Sequence, residues 1–252
     1  MPVALPGLRR VEQIMGMPVV VDVRDEDADE RAVESAFDWL RRVDRTFSTY
    51  TDDSEISRLN DGLLALEDAC DEVREVLERC EELRAETDGY FDARAGRAHG
   101  VDPSGYVKGW AVERAAELLH EAGLRNYAVN AGGDIRLRGR AAPEPCWRVG
   151  IQHPTERHRV AAVVEAHDLA IATSGAYARG EHVLDPHTGR PPLDVLSVTV
   201  VGRDLGTADA YATAAYAMGG RAGARWTLGL EGYQALTILA EGTVLSTPRF
   251  PF

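Results

Sequence analysis

Two oxygen-bearing residues four apart raise the question of chemistry in this chain: Asp209 and Thr213, in the stretch TADAYATAAYAMG from Thr207 to Gly219. On a helix, that spacing stacks a carboxylate and a hydroxyl on one face, a turn apart. The pair suits a hard divalent cation such as Mg²⁺, which takes oxygen ligands and shares them with substrate phosphates and waters. A plainer account exists. Asp209 can serve as an N-cap or first-turn acid favoured by the helix dipole, and Thr213 can bond back to the carbonyl four residues earlier. From this helix alone, the plainer account has the stronger claim.

Other stretches carry polar groups beside glycine. VDPSGYVKG (101–109) sets an acid, two glycines and Lys108 between a loop and a helix start. Helix N–H groups, a lysine point charge and a glycine allowing close backbone approach suit a phosphate or nucleotide. A turn leading into a helix cap explains the same residues, and the spacing is neither a Walker loop nor GxGxxG. VNAGGDI (129–135) reads as a tight strand connection, since paired glycines supply the positive φ of a hairpin. ATSGAY (172–177) offers two hydroxyls for a phosphate, or an ordinary turn. In EHVLDPHTGRP (181–191), Asp-Pro and Thr-Gly mark a turn, and His182 precedes two apolar residues. A histidine there is a candidate general base, because its ordinary pKa lies near neutrality. No Gly-x-Ser-x-Gly elbow or reactive-cysteine context supports a Ser or Cys nucleophile.

The elements that must position these groups follow from periodicity. MPVVVDV reads as a buried strand after a short leader, and Asp29 to about Val43 has helical apolar spacing. FSTYTDDSEISRLND is polar enough for an ordered loop or short turn. A second helix is expected from about Leu66 to Glu86, and a third over YVKGWAVERAAELLHEAG, ended by Gly123. Short β-type runs then follow: NYAVNAGG, DIRLRG, WRVGIQ, VAAVVEA, LAIATSG, HVLD and LSVTVVG. After the Asp209 helix, QALTIL and TVLST form an expected hairpin around AEG. Helices early and strands late, without regular alternation, favour an α+β fold with mixed or antiparallel sheets. The absence of a linker, repeat or low-complexity tract favours one domain over residues 1–252.

Composition sets the outer bounds. At 252 residues, 44% hydrophobic and 27% charged, the chain can bury a sizeable core. A net charge of −13 argues against a nucleic-acid binder, since phosphate backbones demand surplus Lys and Arg. Three cysteines (Cys70, Cys80, Cys146) without close spacing give neither a disulfide framework nor a zinc site. No signal-peptide order and no bilayer-length apolar run are found, so a cytoplasmic protein without membrane insertion is expected.

The loops say more as a set. MGMP, FSTYTDDSEISRLN, GYFD, VDPSGYVKGWAVE, NAGGDI, TSGAY, HVLDPHTGRP and ADAYAT occur in that order over roughly residues 15 to 219. The sequence resembles the ApbE family of FAD:protein FMN transferases, which use FAD as donor and need Mg²⁺. The resemblance implies that Asp209 and Thr213 bind the metal together with the backbone carbonyl of Gly105. It further implies FAD contacts at Asp102 and Lys108, at Met15, and over Tyr90, Phe91 and Asp92. Tyr50 matches a flavin-pocket aromatic, a stacking partner by type. Val183 matches a stretch that contacts the cofactor through backbone, and His182 the family's suspected base. The chain departs from the family pattern at Glu181-His182 (often His-His), at Met17 (often Thr) and at Pro103 to Val107 (often Leu-Gly-Gly-Ile-Ala).

The implied reaction moves FMN from FAD to a Thr or Ser hydroxyl of an acceptor protein and releases AMP. Two alternatives stand beside it. In an FAD diphosphatase, water replaces the hydroxyl and gives FMN and AMP. A non-catalytic flavin carrier would have no need of the metal residues.

Overall fold

The computed structural model describes residues 6–95, 100–156, 158–175 and 183–252. Among them, eight strands form one antiparallel sheet in the order β1-β2-β3-β4-β7-β8-β9-β10. The strands are β1 (Leu8–Ile14), β2 (Met17–Val23), β3 (Tyr127–Ala131), β4 (Asp134–Arg138), β7 (Leu169–Gly175), β8 (Val195–Gly202), β9 (Gln234–Leu239) and β10 (Val244–Ser246). A separate antiparallel pair, β5 (Trp147–Gln152) and β6 (Val160–Ala166), completes the strands. The helices are α1 (Glu30–Phe47), α2 (Glu55–Asn60), α3 (Asp71–Glu86), α4 (Ser104–Glu121), α5 (Leu205–Ala217) and α6 (Gly220–Trp226). The α+β class expected from the sequence is the one observed.

Period-two burial assigns the faces of the large sheet. Val198 and Val200 of β8 pack with Ala170 and Ala172 of β7 in the core beneath α1, α4 and α5. Val201, Leu137, Ile171, Leu236 and Ile238 point the other way and pack with Trp147, Ile151 and Val164 of the β5–β6 pair. Helices therefore cover one face and a small sheet covers part of the other.

Two hairpin turns have two-residue loops with both φ angles positive, the geometry that matches strand twist. Gly132 and Gly133 (φ 60° and 104°) join β3 to β4, as the paired glycines predicted. Met15 and Gly16 (φ 55° and 72°) join β1 to β2, and the Met15 N–H donates to Asp44 Oδ2 at 3.2 Å. Strand β1 is the leader of the sequence reading. Its LRRVEQI pattern puts charge on an edge, where Arg10 pairs with Glu12 and Glu34, and Arg41 of α1 reaches Glu12 at 2.6 Å.

Helix α1 starts where Asp29 accepts from the Arg31 N–H at 2.9 Å and buries Val33, Phe37, Leu40 and Phe47 at helical spacing. Helix α4 packs against α1 through Trp110, whose ring meets Trp39 edge-on at 5.2 Å. It ends with Gly123 at φ 99°, the left-handed residue expected after a helix. On its other side α4 meets α5 almost backbone to backbone. A Cβ on Gly109 would lie 2.5 Å from the Leu205 carbonyl oxygen, and one on Gly206 would lie 2.7 Å from Tyr106 Cε2.

Several boundaries differ from the sequence reading. The helix expected from Leu66 is a 3₁₀ turn, Leu66–Asp68, broken before α3 starts at Asp71. The polar loop after Phe47 contains α2, started by Ser54, whose hydroxyl accepts from the Ser57 N–H at 3.0 Å. Of HVLD, Val183 and Leu184 are not in a strand and Asp185 makes only an isolated bridge to Arg190.

Candidate functional site

Helices α4 and α5, the β3–β4 turn at Gly132 and the end of β7 converge on a cavity of about 460 Å³. Helix α4 supplies Ser104, Gly105 and Lys108, with Asp102 just ahead of it. Asp102 Oδ1 accepts from the Ser104 N–H at 3.2 Å, which fixes the loop against the helix start. Helix α5 supplies Asp209 and Thr213. Its N-cap is Asp204, which accepts from the Thr207 N–H at 2.7 Å, so Asp209 is not the capping acid. Asp209 instead lies in the second turn and is 3% exposed. Thr213 Oγ1 lies 3.2 Å from Ser174 Oγ on β7, a hydroxyl pair facing the same space.

Lys108 stands between two buried carboxylates. It forms an ion pair with Asp134 and lies 3.6 Å from Asp209 Oδ1. Asp134 Oδ1 also accepts from the Thr173 N–H at 3.0 Å. Its position on the helix-facing side of β4 follows from the pleat, since Ile135 and Leu137 take the opposite side. Among the described residues, Lys108 is shared between these two buried carboxylates. A carboxylate as buried as Asp209 favours a bound cation, which keeps its charge compensated.

The remaining walls come from two loops. Tyr90, Phe91 and Asp92 follow α3, and Val183, Leu184 and Pro186 precede β8. The Tyr90 ring meets His187 edge-on at 4.6 Å, and His187 Nε2 lies 3.1 Å from the Asp88 carbonyl oxygen, which joins the loops at the cavity. Phe91 is 3% exposed, and its ring edge would sit 3.2 Å from a Cβ on Gly105. The same Cβ would be 3.7 Å from Thr213 Oγ1, so Gly105, Phe91 and Thr213 meet at one point.

Of the residues singled out from sequence, Tyr90, Phe91, Asp92, Asp102, Gly105, Lys108, Val183, Asp209 and Thr213 line this cavity together. Met15 and Tyr50 do not. Met15 is held at the β1–β2 turn by Asp44, and Tyr50 is 96% exposed on the α1–α2 connection. His182 lies outside the described residues. Sequence reasoning did not select Asp134 or Ser174. Both stood in quoted motifs, NAGGDI and TSGAY, and strand alternation marks them as facing the helices.

The donor set fits a hard cation rather than a soft one. Asp209 brings a carboxylate and Thr213 and Ser174 bring hydroxyls, all oxygen. Among the described residues there is no group of three or more His, Cys, Asp or Glu placed to hold a metal. A site of this kind leaves coordination positions for substrate oxygens, which is how Mg²⁺ commonly engages phosphates.

The ApbE family model matches residues 15–100 and 93–237. The chain is 41% identical over 129 residues to the FAD:protein FMN transferase of Vibrio cholerae, covering 47% of this chain and 39% of that protein. With the protein of the same name from Salmonella typhimurium it shares 35% over 161 residues, 60% and 46% of the two chains. The matched region thus spans less than half the length of these relatives. Among solved structures it resembles the flavin transferase ApbE from Vibrio cholerae, with TM-score 0.84 and 26% identity over 96% of this chain and 97% of that one. The ApbE protein of Thermotoga maritima shares the fold, with TM-score 0.86 and 23% identity over 97% and 99% of the two chains.

Proposed function

The chain belongs to the ApbE family, and from that membership we propose that it transfers FMN from FAD to a Thr or Ser hydroxyl of an acceptor protein, releasing AMP. One observation carries the reading: Asp209, Thr213, Gly105 and Lys108, from two different helices, share one oxygen-rich cavity. The names of the relatives support FAD as donor and a protein as acceptor. We take residues 1–252 as one catalytic domain. Among the described residues no helix is long and apolar enough to cross a membrane. The unpaired cysteines fit the cytoplasmic setting that we propose.

In this reading Asp209, Thr213 and the Gly105 carbonyl hold Mg²⁺, with Ser174 beside Thr213. The metal supplies neutralisation of charge on the diphosphate oxygens as the leaving group departs. Lys108 orients the diphosphate, Asp102 contacts FAD and holds the loop through the Ser104 N–H, and the N-terminal end of α4 favours the negative charge. Tyr90, Phe91, Asp92 and Val183 contact FAD along the cavity wall, with Met15 and Tyr50 as flavin contacts that a bound cofactor would reach beyond it. The acceptor oxygen bonds to the FMN phosphorus, the bond to the bridging oxygen breaks, and AMP leaves with that oxygen. His182 takes the acceptor proton as general base.

Incubating the protein with FAD and Mg²⁺, with and without an acceptor carrying a flavinylation motif, tests this. The expected result is covalent flavin on the acceptor, with AMP release that depends on its presence. Free FMN formed at one rate regardless of acceptor would establish the diphosphatase instead, and FAD left intact would establish a carrier. For His182→Ala, transfer should slow by about 10²–10⁴-fold with Mg²⁺ dependence retained. An unchanged rate in that variant removes His182 as the base.

A further inference from the structure

We infer that Glu113 is a positioning residue for this site, acting through the three elements it ties together rather than by touching a ligand. Its Oε1 accepts from Arg136 Nε at 2.7 Å and its Oε2 accepts from the Leu205 N–H at 2.9 Å. Each partner is a close neighbour of a residue in the cavity's charge cluster. Arg136 stands two residues along β4 from Asp134, on the same face of the strand. Leu205 opens α5 one turn before Asp209. Glu113 lies five residues beyond Lys108 on α4. A single carboxylate thus joins α4, β4 and α5, the elements that bring Lys108, Asp134 and Asp209 together. Glu113 does not itself line the cavity.

The local chemistry makes this an unusual choice for mere packing. Glu113 is 8% exposed and Arg136 3%, and a buried ion pair is weak as a source of stability because both charges lose their water. Burial pushes the Glu113 carboxyl above its ordinary range, and the Arg136 guanidinium opposes that rise. What the pair does supply is direction. The first N–H groups of a helix need partners, and here one comes from another helix, 92 residues away in sequence. That bond fixes the position of α5 along α4, and the bond to Arg136 fixes β4 to both. Arg138 Nη2, at 3.9 Å from Glu113 Oε1, is the other cation facing it.

The inference rests on the flavin-transfer reading for its activity readout, so its test includes one that does not. Glu113→Gln keeps the shape but loses the charge and turns an amide toward Arg136. Four quantities are to be measured: thermal midpoint, Mn²⁺ binding by electron paramagnetic resonance in place of Mg²⁺, FAD binding by fluorescence, and kcat and KM for transfer. The expected result is a folded variant with Mn²⁺ affinity about tenfold weaker. Its kcat should fall by about tenfold or more, with KM for FAD within about twofold of wild type. A lowered thermal midpoint with wild-type Mn²⁺ affinity and kcat would overturn the inference and leave Glu113 a structural residue. If Glu113→Gln does not fold, Arg136→Lys keeps the positive charge but removes the Nε donor. It must show the same losses, and wild-type values there overturn the inference equally. A wild-type protein that transfers no flavin defeats the functional reading alone, because Mn²⁺ binding still decides the role of Glu113.

Discussion

Asp209→Ala is expected to remove nearly all Mg²⁺-dependent AMP release from FAD in the presence of acceptor, while FAD binding largely persists. Asp209 is the carboxylate that α5 presents to the cavity, one turn from Thr213 and 3.6 Å from Lys108. Metal stabilisation of a phosphoryl-transfer transition state is worth several kcal/mol, and each 1.36 kcal/mol is a factor of ten in rate. The expected loss is therefore about 10²–10³-fold in kcat/KM. FAD contacts are spread over both loops and the start of α4, so its Kd should move by only about fivefold or less. Folding should not suffer. Lys108 keeps its ion pair with Asp134, and the variant has one buried carboxylate fewer. AMP release followed over a Mg²⁺ titration, with FAD fluorescence in parallel, gives both numbers. Wild-type turnover in the variant would refute the metal assignment.

Gly109→Val should cost the most stability of any single change at the α4–α5 contact. A Cβ at that position would lie 2.5 Å from the Leu205 carbonyl oxygen and 2.9 Å from the Gly206 Cα. Both obstacles are backbone, so no rotamer change relieves them and the helices must separate. Helix propensity favours valine over glycine by only a few tenths of a kcal/mol, far below the 1–3 kcal/mol or more that overpacking costs, roughly. A net loss of about 3 kcal/mol corresponds to a thermal midpoint lower by roughly 6–12 °C in a chain of this size. Activity should fall as well, because Lys108 precedes Gly109 and Asp209 follows Leu205 by one turn. Differential scanning fluorimetry on this variant is best paired with Gly229→Ala, where a Cβ meets nothing within 4 Å. Equal midpoints for the two variants would show that the close approach is not a constraint.

The legible parts of this molecule are those governed by local rules. Helix α1 follows from its cap and apolar spacing, the β3–β4 turn from paired glycines, and the end of α4 from Gly123. The missed parts are decided by distant neighbours. Strand β1 has its apolar residues three apart (Leu8, Val11, Ile14) rather than alternating, and only pairing with β2 makes it a strand. Helix α6 is seven residues with two glycines, held because Gly220 and Gly223 pack against Asp194 and Ala215. The site divides in the same way. Asp209 and Thr213 were visible as a pair at helical spacing, but their burial against Lys108 and Ser174 depends on how α4, α5 and β7 meet. Asp134 was read only as the first residue of a β-type run and Glu113 as part of a helix, because neither burial nor partner is written in local sequence. Tyr50 was selected by type match alone, and the fold leaves its side chain in solvent, outside the cavity.

The outer strands of the large sheet carry a consequence for how this protein behaves at high concentration. An unpaired strand edge is a template for a foreign chain, and proteins blunt it with charge, shortness or proline. Strand β1 ends the sheet on one side with Arg9, Arg10 and Glu12, the last two tied into ion pairs with α1. On the other side β10 is three residues long and Pro248 follows it closely. Neither border of the large sheet, among the described residues, invites extension by a foreign strand.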